Sequence, residues 1–269
     1  ELMREGNFMP LGAQVAELLP FLRRYARALT GSQASGDAFV RATLEAALAD
    51  PELRESFKGG RVPLYRAFTV LWNSAGVDVD RSASGPEGVA QQRLARMTPP
   101  SRQALLLTAV EEFSLTDAAR IMDLPESEVA TLVVNAGAEI ARESTTSVLI
   151  IEDEPLIAMQ LEQLVEGLGH RICGTAATRN QARQVVAERQ PGLVLADIQL
   201  ADGSSGLDAV DDILAISDVP VIFITAFPER LLTGDRPEPA YLITKPFREE
   251  AVKAAISQAL FFRAPITAG

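Results

Sequence analysis

The chain divides by the period of its apolar positions. From Leu11 onward they recur every three or four places: Val15, Leu18, Leu19, Leu22, Ala26 and Leu29, then Phe39, Val40, Leu44 and Leu48, then Phe68, Leu71 and Trp72. Such spacing lays an apolar stripe along a helix and predicts three of them. The first stops at Gly31 after Thr30, the second spans Ser35 to Asp50 with Pro51 past its end, and the third begins at Val62-Pro63 beyond the Gly59-Gly60 break. Residues 73–89 are poor in large apolar groups and rich in Asn, Ser, Gly, Asp and Pro, so a helical domain over 11–75 and a linker over 76–90 are expected. A second helical body covers 91–143. It has a short helix at Gln91–Met97, a stronger one from Ser101 to Phe113, Asp117–Met122 capped by Thr116, a turn at Leu124-Pro125, and a last helix from Ser127 to Glu143. Helix, short turn and helix of this length is helix-turn-helix grammar.

After a polar joint at Ser144–Ser147 the period changes. Short continuous apolar runs appear: Val148–Ile151, Leu193–Ala196, Val221–Thr225 and Tyr241–Thr244, with a further strand around Arg171–Thr175. Runs without alternation are strands buried on both faces, as in parallel sheets. Helical segments lie between them, one with Leu156, Met159, Leu161, Leu164 and Leu168 on its apolar sectors, one opened by the capping box Thr178/Gln181, one carrying Leu207, Val210 and Ile213, and a last from Phe247 to Phe262.

Each run also delivers chemistry at its carboxyl end: Glu152-Asp153, then Asp197, then Thr225, then Lys245 followed by Pro246-Phe247. In an open parallel sheet those ends gather at one edge, where ligands bind. Three carboxylates there suit a hard divalent cation, Mg²⁺ being the expected one, and the lysine and threonine can meet an anion beside it. The composite is a site for a phosphoryl group, under a loop at Gly203–Gly206.

These residues resemble the receiver domain of response regulators over 146–263. The resemblance implies Asp197 as phosphoacceptor, Glu152, Asp153 and Asp197 as Mg²⁺ ligands, Thr225 as the switch hydroxyl and Lys245 as partner of the phosphoryl oxygens. One departure stands out. Many receivers place an aromatic residue three positions before the lysine; here that position is Leu242, and Tyr241 falls on the opposite face of its strand. The signal is then expected to leave through Phe227 and the segment Pro228–Arg236. Gln199 and Phe227 are expected to crowd an attacking water and prolong the aspartyl phosphate.

Residues 11–75 and 91–143 resemble the two helical domains of extracytoplasmic-function sigma factors, through Leu19-Pro20-Phe21-Leu22-Arg23-Arg24, Leu29-Thr30-Gly31, Arg102–Leu107, Glu111-Glu112-Phe113-Ser114 and Ala118–Met122. In such factors the last helix carries basic residues. Here it opens with Glu126 and Glu128 and places Ala130 and Leu132 at the basic positions. Phosphate neutralisation supplies most non-specific DNA affinity, so the fold word is present and the DNA chemistry is missing. Arg23, Arg24 and Arg27 are expected to form a solvated or protein-binding face. The order, sigma-like module first and receiver last, resembles the general stress response regulators of the PhyR type. That implies an anti-anti-sigma factor. Its unphosphorylated receiver holds the sigma-like module through an intramolecular contact, and phosphorylation of Asp197 by a sensor histidine kinase releases it to sequester a NepR-like anti-sigma factor. The alternative is a phospho-regulated sigma-like transcription factor that binds DNA or core RNA polymerase. The expected fold class is multidomain: all-α sigma-like domains with a helix-turn-helix, then an α/β doubly wound, flavodoxin-like (βα)5 receiver.

Composition narrows this further. The 269 residues carry a net charge of −11, with 15 Lys/Arg against 19 Asp/Glu up to residue 146 and 10 against 17 beyond it. Neither half is basic, so no nucleic-acid partner is expected. No run of about 18 apolar residues exists, so no membrane span is expected. A single cysteine, Cys173, and no visible signal peptide suit a cytoplasmic protein, with Met9-Pro10 as a natural start. Cys173 is expected to be a buried strand residue and His170, the only histidine, a surface one. Residues 1–146 hold no acid–base pair or phosphate loop, so no enzymatic output is expected beyond self-phosphorylation and self-dephosphorylation at Asp197.

Overall fold

The structure is a computed structural model that describes residues 10–81, 98–142, 145–200, 203, 205–215, 219–228, 231 and 239–263. The amino-terminal half is helical: α1 (Leu11–Thr30), α2 (Gln33–Ala49), α3 (Pro51–Ser56), α4 (Arg61–Arg81), α5 (Pro100–Leu105) running into a π-helical turn (Leu106–Val110), α6 (Leu115–Met122) and α7 (Glu126–Ile140). Local chemistry sets the ends. Gly31 takes a left-handed φ of 66° and returns its N–H to Arg27 O. Asp50 accepts from the N–H groups of Glu52 and Leu53, starting α3, a helix that the sequence pattern did not predict. Ser114, rather than Thr116, caps α6 by accepting from Asp117 N–H; the Thr116 hydroxyl instead donates to Glu126.

α4 continues to Arg81, into the segment expected to be a linker, because residues at its carboxyl end need only backbone hydrogen bonds to extend a helix already nucleated. The expected helix at Gln91–Met97, the start at Met9 and Glu143 lie outside the described residues. α6, the turn at Asp123–Pro125 and α7 form the expected helix-turn-helix. Trp72, Phe68, Tyr65, Tyr25 and Phe39 make an aromatic core in tilted and edge-on contacts 5.0–6.3 Å apart.

The carboxyl-terminal half alternates β1 (Ser147–Ile151), α8 (Pro155–Gly167), β2 (Arg171–Ala176), α9 (Arg179–Arg189), β3 (Leu193–Ala196), α10 (Gly206–Leu214), β4 (Val221–Thr225), β5 (Tyr241–Thr244) and α11 (Glu249–Arg263). All strand pairs are parallel, in the order β2-β1-β3-β4-β5. This is the doubly wound 2-1-3-4-5 arrangement. Thr178 caps α9 as expected by accepting from Gln181 N–H, but the Gln181 side chain reaches one residue further back than a capping box requires and accepts from Ala177 N–H at 2.8 Å. Val148, Ile150, Leu193, Leu195, Ile222 and Ile224 face α8 and α11; Leu149, Ile151, Val194, Ala196 and Phe223 face α9 and α10. The first of these cores does not stop at the sheet. It continues through α11 into the helices of the amino-terminal half, so the two halves share one apolar interior.

Three expectations fail on burial. Leu156 is 76% exposed and Met159 is half exposed, because α8 packs through Ala158, Leu161, Leu164 and Val165 instead. His170 is 4% exposed: the left-handed Gly169 folds it beneath the joint, where its Nδ1 accepts from Thr146 N–H at 3.3 Å. Cys173 is only half buried, on the edge strand β2, where burial still pushes its thiol up.

Candidate functional site

The predicted acids converge at the carboxyl edge of the sheet. β1 and β3 are neighbours, and Asp197 N–H donates to Ile151 O at 2.8 Å, which brings Glu152, Asp153 and Asp197 together. One carboxylate oxygen from each lies within 4.8 Å of the others. Oδ1 of Asp197 accepts from the backbone N–H groups of Ile198 (2.6 Å) and Gln199 (3.3 Å). Its Oδ2 faces Lys245 Nζ at 2.7 Å, and the same ammonium donates to Glu152 Oε2 at 2.7 Å. Lys245 reaches this point because β5 pairs with β4 in register and its own N–H continues the ladder to Thr225 O at 2.8 Å. The Thr225 hydroxyl is fully buried and accepts from Phe227 N–H at 3.2 Å.

Burial pushes the Glu152 carboxyl up, against the Lys245 hydrogen bond that favours its ionised form. Burial works to lower Lys245, but its hydrogen bonds to Asp197 and Glu152 outweigh it and hold the ammonium above its ordinary value. Three buried or half-buried carboxylates around one ammonium leave a surplus of negative charge. That oxygen-only donor set fits a hard divalent cation. Gly206 lies against the backbone of Asp197: a Cβ there would sit 1.7 Å from the Asp197 carbonyl oxygen, so only glycine admits the turn of chain beside the acid.

Tyr241 and Leu242 lie on opposite faces, as expected. Leu242 joins the α9–α10 core, while Tyr241 turns to α11 and its hydroxyl donates to Gln258 O at 3.4 Å. Of the segment expected to carry the signal, Phe227 is 36% exposed and Pro228 and Leu231 are described; the rest lies outside the described residues.

Residues at the contact between the halves escaped the sequence reading. On α11, Ser257 and Gln258 are buried polar residues whose side chains turn to the amino-terminal half. Gln258 Nε2 donates to Ala28 O (3.0 Å) and Thr98 Oγ1 (2.7 Å), and Ser257 Oγ accepts from Arg102 at 2.6 Å. The Arg102 guanidinium lies 4.8 Å over the Phe261 ring. Phe262 packs on Gly31, where a Cβ would meet its ring at 2.6 Å. The one available signal was two polar residues, Ser257-Gln258, set between the apolar runs Ala254–Ile256 and Ala259–Phe262 of α11.

The arginines of α1 are not a solvated face. Arg27 is fully buried and pairs bidentately with Asp37 at 2.9–3.0 Å, Arg23 joins the same carboxylate, and Arg24 pairs with Glu111 at 2.9 Å. The acids that meet them come from α2 and from the residue after the π-turn, not from the α/β half. Helix-to-helix pairing is the better solution because it desolvates each guanidinium only where a carboxylate is already in place.

A doubly wound sheet with an acidic triad, a buried threonine and a lysine at its carboxyl edge, joined to a helix-turn-helix body, is a response regulator with a helical output. Family models agree: the sigma2 domain of PhyR matches residues 15–69, the sigma-like domain of the response regulator PhyR matches 94–143, and the response regulator receiver domain matches 148–257. The chain is 56% identical over 250 residues to the phyllosphere-induced regulator PhyR of Methylorubrum extorquens, covering 93% of this chain and 94% of that one. It superposes on the anti-anti-sigma factor PhyR of Bartonella quintana with a TM-score of 0.81 at 49% identity, covering 94% and 97% of the two chains. For the response regulator PhyR of Brucella abortus the TM-score is 0.79 at 48% identity, covering 95% and 96%. The chain belongs to the PhyR family of response regulators. Among the described residues no helix is long and apolar enough to cross a membrane.

Proposed function

We propose that the chain performs the family's anti-anti-sigma role by phosphorylation at Asp197. With Oδ1 held by two backbone N–H groups, Oδ2 is the oxygen that attacks phosphorus. The Oδ2–P bond forms as the bond from phosphorus to the imidazole nitrogen of a sensor histidine kinase breaks, and the imidazole leaves with the electron pair. Glu152, Asp153 and Asp197 are the residues that would hold Mg²⁺, which when bound supplies neutralisation of the incoming phosphoryl charge. Lys245 exchanges Oδ2 and Glu152 for a phosphoryl oxygen, and the Thr225 hydroxyl donates to another. Gln199 and Phe227, whose N–H groups donate to Asp197 and Thr225, are the residues that would crowd an attacking water and slow hydrolysis. No other catalytic output is assigned, and the working compartment is the cytoplasm.

The observation that carries the reading is the polar latch of Ser257 and Gln258 against Ala28, Thr98 and Arg102. Groups that hydrogen-bond across this interface can be rehydrated at small net cost when it opens. The latch keeps the sigma-like module from its partner, a NepR-like anti-sigma factor, until the receiver is phosphorylated. The acidic start of α7 supports a protein partner over DNA. The test is binding to the anti-sigma factor with and without Mg²⁺ and beryllofluoride, for the native chain and Asp197→Ala, with promoter DNA and core polymerase as competitors. Tightening that needs both the mimic and Asp197 is expected. A mimic that instead raises affinity for promoter DNA or polymerase sinks the reading.

A further inference from the structure

Between the two halves of the sigma-like module lies a helix broken by a π-turn. α5 ends in the π-turn Leu106–Val110, where Glu111 N–H donates to Leu106 O at 3.0 Å and Phe113 N–H reaches back to Leu107 O at 3.0 Å. The Thr108 hydroxyl bonds Ala104 O at 2.9 Å, which loosens the α-helical ladder just before it. Glu112, not a glycine, takes a left-handed φ of 56°. A π-turn carries one residue more than the α-helix it interrupts, and such turns, like left-handed side-chain-bearing residues, persist only where their surroundings hold them.

What holds this one is visible on both sides. Glu111 has a fully buried carboxylate that accepts from Arg24 Nε (2.9 Å), Arg61 Nη2 (3.1 Å) and the Tyr65 hydroxyl (2.8 Å). Arg61 also donates to Glu111 O at 3.0 Å. Phe113 lies 4.9 Å from the Tyr65 ring and 4.4 Å under the Arg61 guanidinium. All of these partners belong to α1 and α4. From the other side α11 of the receiver packs along the π-turn.

We propose that Glu111 is the positioning residue that pins the two halves of the sigma-like module together, and that α11 keeps the pin seated by holding the π register. This rests on the phosphorylation-driven opening argued above. When α11 withdraws, the turn relaxes to an α-helical register that no longer packs against α1 and α4, and a helix without that packing opens readily to exchange. Residues in an α-helix follow one another by about 100°, so a one-residue change of register swings Glu111 and Phe113 by about that angle out of their socket. The carboxylate cannot leave by degrees, because a half-separated buried ion pair is the costliest arrangement; the pin is seated or it is out.

Hydrogen exchange of the full chain tests this, read on peptides covering residues 106–113, α11 and strands β1 and β3. In the native chain the 106–113 segment exchanges slowly and at least tenfold faster with Mg²⁺ and beryllofluoride. Glu111→Gln keeps the size of the side chain and loses its charge; its segment exchanges fast without the mimic, while β1 and β3 stay protected and show an intact receiver. Deleting Thr108 removes the extra residue of the turn, leaves Glu111 seated in α register, and makes the segment slow with and without the mimic. The pin is wrong if Glu111→Gln protects the segment as the native chain does. It is also wrong if α11 gains exchange on adding the mimic while 106–113 does not. If the mimic leaves α11 itself unchanged, the phosphorylation switch fails, and the Glu111→Gln comparison alone decides the pin.

Discussion

Replacing Arg102 by methionine probes how strongly the closed form is held. Arg102 is 7% exposed, its Nη1 is 2.6 Å from Ser257 Oγ, and its guanidinium lies 4.8 Å over Phe261. A hydrogen bond from a charged donor contributes about 1.5–3 kcal/mol, and a desolvated cation–π contact about 1–2 kcal/mol. Methionine recovers part of this, about 1–2 kcal/mol, through thioether contact with the ring and apolar burial, and spares the desolvation of a guanidinium. The net loss is about 2 kcal/mol of closed-state stability, or about a 30-fold shift towards the open form. Since only the open form binds the anti-sigma factor, the apparent Kd without the phosphoryl mimic tightens by up to that factor. Isothermal titration of native and variant chains, each with and without beryllofluoride, reads it directly. With the mimic both chains bind alike, because Arg102 then has no latch to hold. An unchanged Kd without the mimic would refute the latch, and a variant weakened with the mimic would show that Arg102 touches the partner instead.

Asp37→Asn leaves the buried Arg27 guanidinium without its carboxylate and lowers stability by about 2–3 kcal/mol, less than a fully buried pair because Asp37 keeps a quarter of its side chain in water. Although burial pushes the Asp37 carboxyl up, the hydrogen bonds of Arg23 and Arg27 hold it below its ordinary 3.8. Its contribution is therefore complete above that pH and lost as pH falls through the depressed value. The gap between native and variant in urea unfolding is expected to be constant near neutral pH and to close below pH 3.8. Lys245→Ala removes the ammonium that stands 2.7 Å from Glu152 and Asp197; calorimetry should find Mg²⁺ binding tighter on the order of tenfold, while beryllofluoride no longer tightens the anti-sigma complex. Equal Mg²⁺ affinity in both chains would show that Lys245 does not oppose the cation. Phe227→Ala shortens the aspartyl-phosphate lifetime, followed by loss of radiolabel; a lifetime equal to the native one shows that Phe227 does not slow hydrolysis.

The acids, threonine and lysine of the receiver were legible along the chain because a parallel sheet converts order in sequence into neighbourhood at one edge. Each short apolar run must be a strand buried on both faces, and each strand must end where its polar residues begin. The missing basic residues of α7 were legible for the same reason: a residue's charge is a property of the chain alone. The fate of Arg23, Arg24 and Arg27 was not. On a helix they look like a polar face, and only the approach of Asp37 from α2 and Glu111 from beyond the π-turn turns them into buried or half-buried pairs. Nor could spacing show that Ser257 and Gln258 point into a neighbouring body, that His170 lies under a joint, or that α4 runs on into a stretch of linker composition. Local pattern determined the elements and the chemistry at their ends, because both depend on residues a few positions apart. Which polar groups lose water was decided by the docking of one half on the other, since burial depends on partners far away in sequence.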